Sequence, residues 1–145
     1  MKREKKEDRV RKAIVVLDPD EKHSVQLGSM LEREEYHPIL LSSLSELAPS
    51  LKESSPRALI VNLDQVPLDN RDLMEIRSRN RGMCIIGLSS RTFHPELKEA
   101  LTRYIDVCFS KPVGREELLY WLKAVFDPSI DTSARHGIPG RDAGK

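Results

Sequence analysis

Five runs of strand length, apolar at most positions, recur along the chain: Ala13 to Leu17, His37 to Leu41, Ala58 to Leu63, Met83 to Leu88 and Ile105 to Phe109. Segments with helical spacing separate them. A half-exposed antiparallel strand alternates polar and apolar residues, so strands apolar on both faces require a parallel sheet covered on both sides. The expected architecture is an open α/β domain, a doubly wound five-stranded parallel sheet with helices on both faces.

Local chemistry places the helices. Asp18-Pro19-Asp20 closes the first strand with residues that also start helices, and Leu27, Met30 and Leu31 keep helical spacing over about Glu21 to Glu34. Pro38 marks the second strand as a strand start or sheet edge. Ser43 suits an N-cap for a helix through Leu44, Leu47 and Leu51, which Pro49 should shorten or kink. The remaining helices are expected over Asp69 to Asn80, Pro95 to Arg103 and Arg115 to Phe126, with a turn at Lys111-Pro112-Val113-Gly114.

The chain's 145 residues make about one domain, and 39% hydrophobic with 32% charged residues describes a globular protein. No apolar run approaches the roughly 18 residues needed to cross a bilayer, and Met1 to Lys6 lacks a signal peptide's apolar segment, so a cytoplasmic address is expected and no membrane contact. Residues 1–12 hold seven Lys/Arg against three Asp/Glu, while the whole chain carries +1. That pattern reads as a charged arm over 1–11, a solvated terminus rather than a nucleic-acid footprint. The folded domain is expected over 12–127. Residues 128–145, rich in Ser, Gly, Pro and charge without apolar periodicity, read as a disordered tail or linker.

Metal and nucleotide chemistry find little support. His23, His37, His94 and His136 lack zinc-like spacing, and the seven glycines form no phosphate loop. Cys84 and Cys108 fall at opposite ends of two neighbouring strands and read as buried reduced thiols.

In open α/β sheets ligands gather at the carboxyl ends of the strands. Here those ends present Asp18 and Asp20, Asn62 and Asp64, Ser89 and Ser90, and Lys111. The order of acidic loop, strand-three end, hydroxyl and Lys111-Pro112 resembles the receiver domains of response regulators over about residues 12–126. The resemblance implies a flavodoxin-like sheet of order 2-1-3-4-5 and a role in two-component phosphorelay signalling. It also implies magnesium held by paired acids after strand one, a phosphoryl group accepted at the end of strand three, and a hydroxyl and a lysine that contact that group.

Asp18, Ser89 and Lys111 match those roles, and Asn62 stands where the acceptor aspartate is expected. An amide forms no acyl phosphate and supplies no charged metal ligand. Pro19 replaces the second acid, with Asp20 one place further on, so magnesium binding is expected to be weak at most and no other cofactor is implied. The family's aromatic switch position falls on Cys108, a small thiol. The chain therefore reads as an atypical member, a pseudo-receiver with a degenerate phosphoacceptor site of Asn62, Asp18, Asp20, Asp64, Ser89 and Lys111 and no catalytic residue. Lys111 is expected to pair with Asp18 and hydrogen-bond Asn62, tying the strand ends without a ligand.

The leading expectation is a signalling module that is not an enzyme, works independently of phosphorylation, and meets a protein partner or a second copy through helix four, strand five and helix five. In helix five, Leu118, Leu122 and Val125 form the expected core stripe, Trp121 and Leu119 flank it, and Tyr120 and Ala124 point outward. Tyr120, Ala124, Trp121 and Leu119 are thus the candidate interface. Two alternatives stay open. One is a working phosphoacceptor at Asp64 with Asp18, Asp20, Ser89 and Lys111, although Asp64 also suits an Asx turn. The other is a flavodoxin-like domain binding a small anion near Lys111.

Overall fold

The computed structural model describes residues 12–91 and 98–127. The arm expected over 1–11, the tail over 128–145 and the start of the helix expected from Pro95 lie outside the described residues. In chain order the elements are β1 (Ala13–Leu17), α1 (Glu21–Arg33), β2 (His37–Leu41), a 3-10 turn (Leu44–Glu46) running into α2 (Leu47–Ser54), β3 (Ala58–Asn62), α3 (Asn70–Arg79), β4 (Cys84–Ser89), α4 (Lys98–Arg103), β5 (Val107–Ser110) and α5 (Arg115–Phe126). The strands form one parallel sheet of order β2-β1-β3-β4-β5.

Side-chain alternation divides the core in two. Val15, Leu17, Leu59, Val61 and Ile85 face α2, α3 and α4, meeting Leu47, Leu51, Leu73 and Ala100. Ile14, Val16, Ile60, Ile86, Leu88 and Phe109 face α1 and α5, meeting Leu27, Leu31, Leu118, Trp121 and Leu122. Both faces are covered, which is why these strands need no polar alternation. No helix among the described residues is long and apolar enough to cross a membrane.

The last two strands run further than their apolar residues. β4 and β5 stay in register to Ser89 opposite Ser110, so the ladder carries both serines past the end of the hydrophobic stretch. At the other end Ile105 lies outside β5, its N–H bonded to the Ala100 carbonyl at 2.8 Å. Pro49 is the third residue of α2, inside the first turn, where a missing N–H costs no helical bond. Ser43 starts the 3-10 turn in a capping box with Glu46.

The outward facing expected for part of α5 is corrected. Tyr120 is 47% exposed, but Ala124, Trp121 and Leu119 are 4%, 0% and 6% exposed. Ala124 lies about 60° around the helix from Trp121, and its single methyl group is short enough to be covered at the margin of the buried face. Trp121 is tied inward by its indole N–H, which donates to Cys84 Sγ at 3.1 Å. Cys84 stands opposite Ala58 and Cys108 opposite Gly87, so the two thiols are out of reach of each other and form no disulfide.

At the amino-terminal edge of the sheet, Arg57 joins both ends of the described core. Its backbone N–H donates to the Ala13 carbonyl at 3.3 Å, and Nη2 to the Val125 carbonyl at 3.1 Å. The guanidinium lies over the Phe126 ring at 5.6 Å.

Candidate functional site

Four residues are the buried polar or charged ones among those described, and three of them, Asp18, Asn62 and Ser89, stand at the carboxyl ends of β1, β3 and β4. Burying polar groups is costly unless they are hydrogen-bonded. The site meets that requirement with its own side chains.

Asn62 is the centre. Its Nδ2 donates to Asp18 Oδ1 at 2.9 Å, while its Oδ1 accepts from Lys111 Nζ at 2.6 Å and from the Asp64 N–H at 3.0 Å. The amide's orientation follows from its partners, because a carboxylate only accepts and an ammonium or a backbone N–H only donates. The bond to the Asp64 N–H closes an Asx turn at Asn62, the role the sequence suggests for Asp64.

Asp64 instead sits at the far side of the cluster. Its carboxylate accepts from Ser89 Oγ at 3.2 Å, the Ser90 N–H at 2.9 Å and Ser90 Oγ at 2.8 Å, and pairs with Lys111 Nζ at 2.9 Å. Burial alone pushes its carboxyl up, but the hydrogen bonds from Lys111 and Ser90 and the charge of Lys111 together hold it well below the usual carboxylate range. Lys111 thus pairs with Asp64, where Asp18 was expected. Strands lie about 4.8 Å apart, and a lysine following β5 meets groups above β4 and β3 before it reaches β1.

Gly87 allows the loop to come down there. A Cβ at that position would lie 2.7 Å from Leu63 Cδ1 and 3.5 Å from Cys108 Sγ. Leu63 therefore seats on bare β4 backbone, and its neighbour Asp64 is carried over Ser90. Burial, and then the Asp64 charge, push the Cys108 thiol up, so it stays protonated.

On the other flank, Asp18 Oδ1 also accepts from the Asp20 N–H at 2.9 Å, and Asp18 Oδ2 meets His23 Nδ1 at 2.5 Å. Asp20 itself caps α1, accepting from the His23 N–H at 3.2 Å, and stays outside the cluster. His23 lacks zinc-like spacing in the sequence and still joins the site through Asp18. Its signal lies in local geometry: it is the third residue of a helix that begins just after Asp18, so its ring hangs back over the strand end.

Magnesium asks for oxygen ligands around an open position. Here Asp18 has both oxygens committed, Asn62 turns its nitrogen toward Asp18, and Asp20 is held at the helix cap. No group of three His, Cys, Asp or Glu among the described residues could hold a metal ion. The donor set does not fit a divalent cation.

No protein-family model matches the chain, and no curated protein matches it. Solved structures do. A CheY-like receiver domain protein from Methanospirillum hungatei JF-1 is similar at 18% identity and a TM-score of 0.70, covering 87% of this chain and 98% of its own. The receiver domain of a sensor histidine kinase from Pseudomonas aeruginosa PAO1, solved with magnesium coordinated in its active-site cleft, matches at 18% identity and 0.68, covering 79% and 97%. The receiver domain of Ssk1 from Saccharomyces cerevisiae, solved with the histidine phosphotransfer protein Ypd1, matches at 16% identity and 0.63, covering 77% and 86%. At these identities the likeness establishes architecture.

Proposed function

Starting from a receiver-domain fold with an amide at the end of β3, we propose that this chain is a signalling module that acts by protein contact and transfers no phosphoryl group. The observation that carries the reading is the double use of Asn62, which donates to Asp18 and accepts from Lys111. An aspartate there would lose the donor and set two carboxylates side by side, so this network is fitted to an amide. The poor fit to magnesium supports the same reading, since phosphoryl transfer in the resembling family depends on that ion. For the partner, support comes from the Ssk1 receiver domain, which was solved in complex with another protein. The proposed contact surface is α4, β5 and α5, now with Tyr120 as its exposed aromatic residue.

A second reading has one observation in its favour: Lys111 and Ser89 both engage Asp64, a carboxylate that could in principle accept a phosphoryl group. Intact-mass measurement after incubation with acetyl phosphate and magnesium separates the two. Wild type should gain no phosphoryl adduct, and Asn62→Asp should fall short of full phosphorylation, because Pro19 still leaves the acidic loop one carboxylate short. An adduct on wild type that disappears in Asp64→Asn would establish the second reading and end the first.

A further inference from the structure

We propose that Arg77 is an internal latch that holds α4 and the start of β5 in one arrangement from the pole of the sheet opposite Asn62. The contact surface is then set by the chain's own ion pair and not by events at the polar site. The proposal rests on the reading of α4, β5 and α5 as a protein-contact surface, and names what regulates it.

Arg77 lies in the last turn of α3, and its two terminal nitrogens meet four acceptors. Nη1 donates to the Met83 carbonyl at 2.5 Å and the Arg81 carbonyl at 3.3 Å, while Nη2 donates to the Tyr104 carbonyl at 3.0 Å and to Asp106 Oδ2 at 2.5 Å. Those nitrogens carry four N–H groups, so each has an acceptor. Two acceptors belong to the loop before β4 and two to the connection from α4 to β5. One planar guanidinium thus ties α3 to both, a reach that the single nitrogen of a lysine lacks.

Asp106 passes the hold on to the sheet. Its Oδ2 also accepts from the Ile85 N–H at 2.7 Å, and its own N–H donates to the Ile85 carbonyl at 2.9 Å. This contact stands one residue ahead of the first β4–β5 register pair, Ile86 and Val107. The Tyr104 and Ile105 N–H groups both donate to the Ala100 carbonyl at 2.8 Å, so the closed end of α4 is held by the same connection. The Arg77 and Asp106 side chains are 20% and 30% exposed, and water screens their attraction only in part. Lys111 lies five residues beyond Asp106, roughly 16 Å along a strand. Cys108, between them, is too short to carry a rearrangement from one pole to the other.

The test follows backbone hydrogen exchange by NMR in wild type, Arg77→Gln and Lys111→Met. The Ile105 and Asp106 amides report the latch, and the Asp64 and Ser90 amides report the polar pole. Arg77→Gln should speed exchange at Ile105 and Asp106 by about tenfold or more, the worth of a charged hydrogen bond, and leave Asp64 and Ser90 near their wild-type rates. Lys111→Met should do the reverse. Equal acceleration at both poles in Arg77→Gln would reduce Arg77 to a contributor to overall stability, and unchanged rates at Ile105 and Asp106 would remove the latch. So would a Lys111→Met variant that loosens Ile105 and Asp106 as much as Arg77→Gln does, since the polar pole would then govern the surface. Should Arg77→Gln fail to fold, Asp106→Asn decides, because it keeps the acceptor's shape and removes only the charge. It should speed the same two amides by a smaller factor, and unchanged rates would overturn the proposal. These outcomes stay separable from the functional reading, which a phosphoryl adduct on wild type removes whatever the exchange rates are.

Discussion

At the scale of single residues, the site shows how one amide changes the ionic balance around it. Asn62 brings no charge, so Lys111 is left to a single carboxylate, Asp64, and the two together satisfy the strand ends. A carboxyl whose folded-state ionisation lies below its ordinary value near 3.8 contributes stability that is fully present above that value and is lost as the pH falls through the lowered one. Urea unfolding followed from pH 6 downward should therefore show a loss for wild type beginning near pH 4. Asp64→Asn should start less stable and lose less over the same interval. Parallel acid limbs for the two proteins would mean that the Asp64 contacts contribute nothing in solution.

At the scale of elements, α5 offers a sharper comparison than the sequence could. Tyr120 and Ala124 stand one turn apart, one exposed and one buried. Tyr120→Glu should leave the melting temperature nearly unchanged, since exposed substitutions usually fall within about 0.5 kcal/mol. Ala124→Glu should destabilise by roughly 2 kcal/mol or more, because it pushes a carboxylate into a covered position, and Leu122→Glu should do worse. If Tyr120→Glu melts normally but weakens self-association or partner capture by size exclusion or pull-down, the α5 surface is a contact; normal melting with normal binding would discard it. A helical wheel marks Leu118 and Leu122 as core because they lie at its centre. The margin was not legible, since whether Ala124 is covered depends on how α5 tilts against β4 and β5, a tertiary fact absent from periodicity.

At the scale of the whole molecule, strand count, order and the two-sided cover were legible because they follow from five apolar runs alternating with helices. The members of the site were largely legible too, since the strand ends bring them to one pole. Their pairing was not: Lys111 goes to Asp64 because Leu63 drops onto Gly87, and His23 joins Asp18 because of where α1 begins. Both depend on how a loop settles.

Arg57 carries a further consequence. Its backbone touches Ala13 and its side chain touches Val125, so one arginine spans the distance between the first strand and the last helix of the described core. A short glycine-serine bridge from Asp127 to Lys12 would then close the core into a ring, which could be reopened at the exposed Gly82 turn, where an added side chain meets nothing within 4 Å. Such a rewired chain should fold and keep the polar pole intact, read as wild-type-like exchange at the Ser90 amide. Failure to fold would mean that the direct connection from β3 to β4, and not their final adjacency alone, is required to assemble the sheet.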